Sequence, residues 1–434
     1  MTLIVEASTA ARELIDFIDA SPSPWHAVAS AEKQLLENGF TLLEETGRWQ
    51  IAQGGRYYVV RGGASLIAFV LGSQSIADVG FRIVGAHTDS PGLRLKPKAA
   101  MAGEGITRLG VEVYGGPILA SFADRDLSLA GRAVFRSATQ QETRLLCIER
   151  PLLRLPNLAI HMNREVNEQG LKLNRQTELP LILSQLCDGV DADAQLRKLL
   201  ADAVQRDAAD LLSFELNVYD VQKGCLWGAN QEFIADSPLD NLASSYAALT
   251  ALLNIAQPTA TCVAAFFDNE EVGSESANGA GGSFVTDVLA RICFKAKLDE
   301  EDRRRAMAGS FFISADMAHA YHPNYPAAYE PGHKVMVNGG PVIKSNVNQR
   351  YSTNAETAAR FMRICERAGV PYQQYAHRSD LGCGSTIGPI VAAQLGVASV
   401  DVGSPMWAMH SVRESAGVQD HAYMIAALVA AFGS

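Results

Sequence analysis

No Cys-x-x-Cys pair occurs in the 434 residues, and the seven cysteines (Cys147, Cys187, Cys225, Cys262, Cys293, Cys365 and Cys383) are scattered and odd in number. That spacing argues against a cysteine zinc site and a disulfide framework, and suits buried free thiols in a reducing, cytoplasmic compartment. No apolar run approaches the ~20 residues that a membrane-spanning helix needs. The first residues, Met1-Thr2-Leu3-Ile4-Val5-Glu6, show no basic segment ahead of an apolar one, so no signal peptide is expected. Positive charge is also short: the formal net charge is −10 and no basic stripe stands out, which argues against a nucleic-acid partner. Internal repeats and low-complexity tracts are missing too. With 48% hydrophobic and 19% charged residues, the chain is of ordinary globular composition, and its length predicts two domains.

What is present centres on one stretch. Thr261-Cys262-Val263-Ala264-Ala265-Phe266-Phe267 is an uninterrupted apolar run that reads as a strand buried on both faces. It stops at Asp268-Asn269-Glu270-Glu271, and Gly273 turns the chain. Adjacent carboxylates at the tip of a buried strand repel one another and are costly to desolvate unless a cation or a shared proton compensates. The same texture recurs. A strand over 82–86 runs into His87-Thr88-Asp89-Ser90-Pro91-Gly92, a strand over 311–315 runs into Asp316, and a strand over 399–402 precedes Met409-His410-Ser411.

Between these strands lie helical patterns over 8–20, 25–37, 241–255, 283–304, 355–368 and 420–432. Strands alternating with helices predict an α/β fold whose sheet is mixed and largely parallel. From about 92 to 231 the pattern changes to shorter alternating segments with one polar helix near 193–204. This reads as a β-rich insertion, so that 1–91 and 232–434 form one domain and 92–231 another.

His87, Glu271 and Asp316 fall at or just beyond strand C-termini, the edge at which open α/β sheets bind ligands. His410 lies in a loop after a strand, and Asp240 opens a helix. Taken singly, each has an ordinary explanation: a hydrogen-bonded histidine, a helix cap, an Asx turn, a core histidine. Taken together, two imidazoles and three carboxylates suit Zn²⁺, Mn²⁺ or Co²⁺. Five ligands are more than one hydrolytic ion needs, and two ions sharing a carboxylate would use them to polarise a carbonyl and activate water. Asp89 is placed to orient the His87 imidazole.

Gly85-Ala86-His87-Thr88-Asp89-Ser90-Pro91, Leu239-Asp240-Asn241-Leu242, the 268–274 stretch, Ser314-Ala315-Asp316-Met317-Ala318-His319-Ala320 and Met409-His410-Ser411 together resemble the aspartyl aminopeptidase family of dinuclear zinc exopeptidases. The resemblance runs nearly end to end. It implies one ion held by His87, Asp240 and Asp316, a second held by Asp240, Glu271 and His410, and Glu270 as general base; spacing alone does not tell the two glutamates apart. It also implies that residues 92–231 build dimers that assemble into a tetrahedral dodecamer, with His161 reaching a neighbour's site. Lys344 matches the family lysine of the pocket for an acidic N-terminal side chain, with Tyr351 and His319 as further pocket candidates. Family members often carry tryptophans just before Asp124-Arg125-Asp126, where this chain has Leu119 and Phe122. The expected activity is removal of N-terminal Asp or Glu from peptides. Another amidohydrolase or deacylase on the same scaffold, or a non-catalytic assembly protein stabilised by metal, are the alternatives; retention of Glu270 counts against the last.

Overall fold

The apolar run before the carboxylates forms the strand Thr261–Phe267, buried at every residue. Its side chains alternate between two cores, as the period of a strand requires. Cys262, Ala264 and Phe266 pack on one face, and Val263, Ala265 and Phe267 on the other. Helices cover both faces of its sheet, which explains why the strand reads as a continuous apolar segment and not as an alternating one. Thr2–Asp19, Pro24–Glu37, Leu239–Leu253, Ala355–Ala368 and Val418–Phe432 lie on one side. Phe284–Lys295, Glu300–Ala308 and Ile387–Leu395 lie on the other. No described helix is long and apolar enough to cross a membrane.

The computed structural model describes residues 2–185 and 191–434. Two units make up the chain: Met1–Asp89 with Gly224–Met409 and Glu414–Ser434, and Ser90–Lys223 with His410–Arg413. In the first unit the nine-stranded sheet is mixed α/β in type. Thr261–Phe267, Phe81–His87, Phe311–Ala315 and Ala398–Gly403 run parallel as adjacent members in that order, except that Thr261–Phe267 also pairs antiparallel with Ser65–Val70. Val342–Ser345 then joins Ala398–Gly403 antiparallel, and Gln373–Ala376 closes that side. The parallel strands bring His87, the 268–271 turn and Asp316 to one sheet edge.

The second unit is built on a six-stranded antiparallel sheet with the strands Gln141–Cys147, Leu127–Arg136, Leu211–Asp220, Gly92–Gly103, Ile106–Tyr114 and Leu181–Gln185 in spatial order. Leu196, Leu200 and Ala201 of the helix Ala192–Ala203 join the core of this sheet.

Two expectations need correction, and one strand was not foreseen. The pattern over 283–304 is two helices, because Lys297 takes a left-handed conformation (φ +60°) and the Asp299 side chain caps the second by accepting from the Asp302 N–H. The strand Gly92–Gly103 escapes a pattern reading because its pairing slips between Leu95 and Ala100, which breaks the alternation. The thiols are not all buried: Cys262, Cys293 and Cys365 are, whereas Cys147 and Cys383 are half-buried and Cys225 is exposed. All six are free, and Cys187 lies outside the described residues.

Candidate metal centre

His87 is the last residue of its strand and is buried. Its Nδ1–H donates to the Asp89 carbonyl at 3.0 Å, which fixes the ring and turns Nε2 towards the carboxylates. From Nε2 the distances are 3.6 Å to Asp240 Oδ1, 3.6 Å to Asp316 Oδ1 and 4.0 Å to Glu270 Oε2. The ligand atoms of His87, Asp240 and Asp316 all lie within 4.8 Å of one another, and so do those of His87, Glu270 and Glu271.

Each of these side chains is held by its own local device. Glu270 and Glu271 open a single 3₁₀ turn whose flanking residues, Asn269 and Gly273, are both left-handed. That reversal takes the chain off the buried strand within a few residues. The fully buried Asp89 carboxylate accepts from the Glu270 N–H (3.1 Å) and the Glu271 N–H (3.2 Å), so one residue orients both the imidazole and the glutamate turn. Asp240 stands at the start of the helix Leu239–Leu253, where its own dihedrals and those of Asn241 are not helical. Its N–H and that of Leu239 donate to the buried Glu414 Oε2 at 3.0 and 2.8 Å. Asn241 Nδ2 donates to the Ala315 carbonyl at 2.9 Å, tying this turn to the strand that delivers Asp316.

The electrostatics are those of crowded acids. Burial pushes the Glu270 carboxyl up to about 8, with Asp316, Asp89 and Asp240 adding to the shift and His87 opposing it. Burial would lower the imidazole of His87, but hydrogen bonds to Asp316 and Asp89 and the charge of Glu270 leave it well above its ordinary value. Burial alone would raise Asp316; the neighbouring Lys344 charge, together with His87 and Asp240, outweighs it and holds the carboxylate well below the usual range. An imidazole presenting Nε2 to several converging carboxylates is a donor set that fits a divalent cation of the zinc type.

Lys344 differs from a lysine waiting in an open pocket. It is 2% exposed, and its Nζ lies 3.4 Å from Asp316 Oδ2 and 3.1 Å from the Met317 carbonyl. The ring of Tyr351, also buried, sits 5.1 Å beneath the ammonium. Tyr351 packs with Ala318, Val335, Val342 and Tyr375, and His319 meets Tyr375 edge-on at 6.1 Å. His161 is in an exposed turn of the second unit. His410 heads the 410–413 segment of that unit with φ +69°, and its Nδ1 hydrogen-bonds the Gly116 carbonyl at 3.1 Å. Glu414 was invisible to sequence reasoning: a carboxylate that accepts backbone N–H groups shows no telltale spacing.

The chain is 49% identical over 425 residues to a probable M18 family aminopeptidase 2 of Stutzerimonas stutzeri, spanning 97% of each chain. A protein of the same description from Clostridium acetobutylicum is 45% identical over 417 residues, spanning 95% of this chain and 96% of that one. Among solved structures, one described as the complex of Ape4 and Nbr1 matches with a TM-score of 0.96 at 37% identity, over 99% of this chain and 86% of that one. Yeast aminopeptidase 1 (Ape1) matches with a TM-score of 0.87 at 27% identity, over 98% and 97% of the two chains. The family model described as aminopeptidase I zinc metalloprotease (M18) matches residues 17–432. The chain therefore belongs to the M18 family and is a metallo-aminopeptidase, a hydrolase built on the α/β fold of its relatives.

Proposed function

We propose that this aminopeptidase removes acidic residues from peptide N-termini with two divalent ions, zinc by family. His87, Asp240 and Asp316 would hold one ion; Asp240, Glu271 and His410 would hold the other, with Asp240 shared. When bound, such ions act as Lewis acids that polarise the scissile carbonyl. Glu270 takes the proton of the attacking water and returns it to the leaving amine. Its carboxyl is raised by burial and by neighbouring acids, and cationic charge in the same site draws it back towards the ionised form a base requires. Asp89 keeps Glu270 and His87 in register: its carboxylate accepts from the Glu270 N–H and its backbone carbonyl accepts from His87 Nδ1–H.

The acid preference rests on Lys344, with Tyr351 and His319 as pocket walls. The observation that carries the whole reading is the convergence of His87, Asp240, Asp316 and Glu270 beside this single buried lysine. Self-association belongs to the same reading. Residues 92–231 would form the dimer interface of a larger assembly, as a dodecamer is described for S. cerevisiae mApe1, and His161 would complete a neighbour's site. The unbridged thiols favour a cytoplasmic setting.

The test is a panel of peptides differing in the N-terminal residue, run with metal analysis on the wild type and on Glu270→Gln. We expect two ions per chain in both proteins and a preference for Glu- or Asp-terminal peptides in the wild type. In the variant kcat should fall by at least about 10²-fold, the lower end for general acid–base catalysis. Near-normal turnover in a metal-replete Glu270→Gln enzyme would remove Glu270 as the base.

A further inference from the structure

Asp401 lies within the strand Ala398–Gly403, next to the strand that carries Lys344, and is 0% exposed. A buried carboxylate costs several kcal/mol unless it is paired or hydrogen-bonded. Among the described residues no cation pairs with it; its donors come from two loops. Oδ2 accepts from the Ser352 N–H at 2.6 Å and from Ser352 Oγ at 2.7 Å. Oδ1 accepts from Thr386 Oγ1 at 2.5 Å, and that same hydroxyl oxygen accepts from the Gly388 N–H at 3.2 Å, capping the helix Ile387–Leu395. The Asp401 backbone N–H donates to Thr353 Oγ1 at 2.9 Å, a third tie to the first loop.

The two loops flank the lysine pocket. Ser352 follows Tyr351, whose ring underlies the Lys344 ammonium. Thr386 stands three residues after Cys383, which packs against the Tyr351 and Tyr375 cluster. Space around the carboxylate is reserved: a Cβ on Gly388 would come within 2.2 Å of Asp401 Oδ2, so only glycine lets the first turn of that helix press against it.

We propose that Asp401 is a specificity-positioning residue: by holding Ser352 and Thr386 on one carboxylate it sets Tyr351 and Cys383 as a rigid wall beside Lys344, and so sets the preference for acidic N-terminal side chains. The proposal rests on the reading that Lys344 receives that side chain. A carboxylate entering beside a buried ammonium is discriminated from an apolar side chain only while the surrounding wall excludes water and keeps the cation in place. Loosening the wall therefore acts on the difference between substrates and not on turnover in general.

The experiment compares kcat/KM on Glu-terminal and Leu-terminal peptides in the wild type, Ser352→Ala, Thr386→Val and Asp401→Asn, with zinc content and Tm measured alongside. Asp299→Ala, which removes the cap of the helix Glu300–Ala308, supplies a control for destabilisation alone. We expect the Glu/Leu ratio to fall about tenfold or more in Thr386→Val and Asp401→Asn, the scale of one hydrogen bond to a buried charge. Ser352→Ala keeps its N–H donor and should fall less. The change should sit in KM for the Glu-terminal peptide, with zinc content unaltered and the Asp299→Ala ratio at the wild-type value. An unchanged ratio in folded Ser352→Ala and Thr386→Val, or an equal shift in Asp299→Ala, overturns the positioning role. A wild type with no preference for Glu-terminal peptides overturns the acid-pocket reading, and this proposal falls with it.

Discussion

At the scale of single residues, Lys344 shows most clearly how burial changes a role. A lysine after Pro341-Val342-Ile343 is legible as something other than a solvated surface residue. That its ammonium is already engaged with Asp316 Oδ2 is not legible, because the partner is 28 positions away. Losing one member of such a buried pair costs about 3–5 kcal/mol through the charge left behind. Lys344→Met should therefore do two things. Activity on Glu-terminal peptides should fall more than on Leu-terminal ones. The metal-free variant should also be less stable than metal-free wild type, because Asp316 loses its cation, and zinc should recover part of that loss. The rise in Tm on zinc addition is then larger in the variant than in the wild type, as linkage requires when the ligand relieves strain in the native state. Equal rises in the two proteins would mean that Lys344 and Asp316 do not influence each other.

At the scale of elements, the parallel strands were readable and their helpers were not. Thr261–Phe267 and Phe311–Ala315 announce themselves because both faces are buried, and Phe81–His87 is buried at every residue but Arg82, so each is a largely apolar run that ends abruptly in a ligand-type residue. The edges and corners lack that signature. Glu414–Gly417 is a four-residue strand, yet its first residue anchors the turn that presents Asp240. Glu414→Ala would leave the buried Leu239 and Asp240 N–H groups without their acceptor, at about 1–3 kcal/mol each. We expect it to lower stability and to weaken zinc retention in competition with a chelator. Glu414→Gln, whose carbonyl still accepts from both N–H groups, should recover most of each. Zinc affinity unchanged in Glu414→Ala would show that the turn holds Asp240 without this carboxylate. Asp401 belongs to the same class of hidden support: an aspartate in Ser399-Val400-Asp401-Val402 reads as an interruption of a strand until its donors on two loops are seen.

At the scale of the whole molecule, the exposed turn around His161 is a feature poorly suited to an isolated chain. Leu158, Ile160 and Met162 are 60%, 47% and 74% exposed, an apolar group on a loop whose base is pinned where Asn157 donates to Asp124. If a second copy covers this loop and His161 serves its site, specific activity should fall on dilution through the dissociation range without loss of secondary structure. His161→Ala should lower activity in the intact assembly. Sedimentation and activity measured on the same dilution series check both, and a fully active monomer would remove the trans role of His161 and the interface role of residues 92–231.

The order of strands along the chain has its own consequence for synthesis. All six strands of the second unit's sheet lie between Gly92 and Asp220, so that sheet has every partner once residue 220 has been made. Phe81–His87 is made earlier but waits longer, since its two neighbours are Thr261–Phe267 and Phe311–Ala315. At about 5–20 residues per second, the second of them arrives roughly 5–20 s after the insertion's last strand. During ribosomal synthesis the inserted unit can therefore fold first, while the strand that ends in His87 has unpaired backbone on both edges until Phe267 is made and on one edge until Ala315 is made.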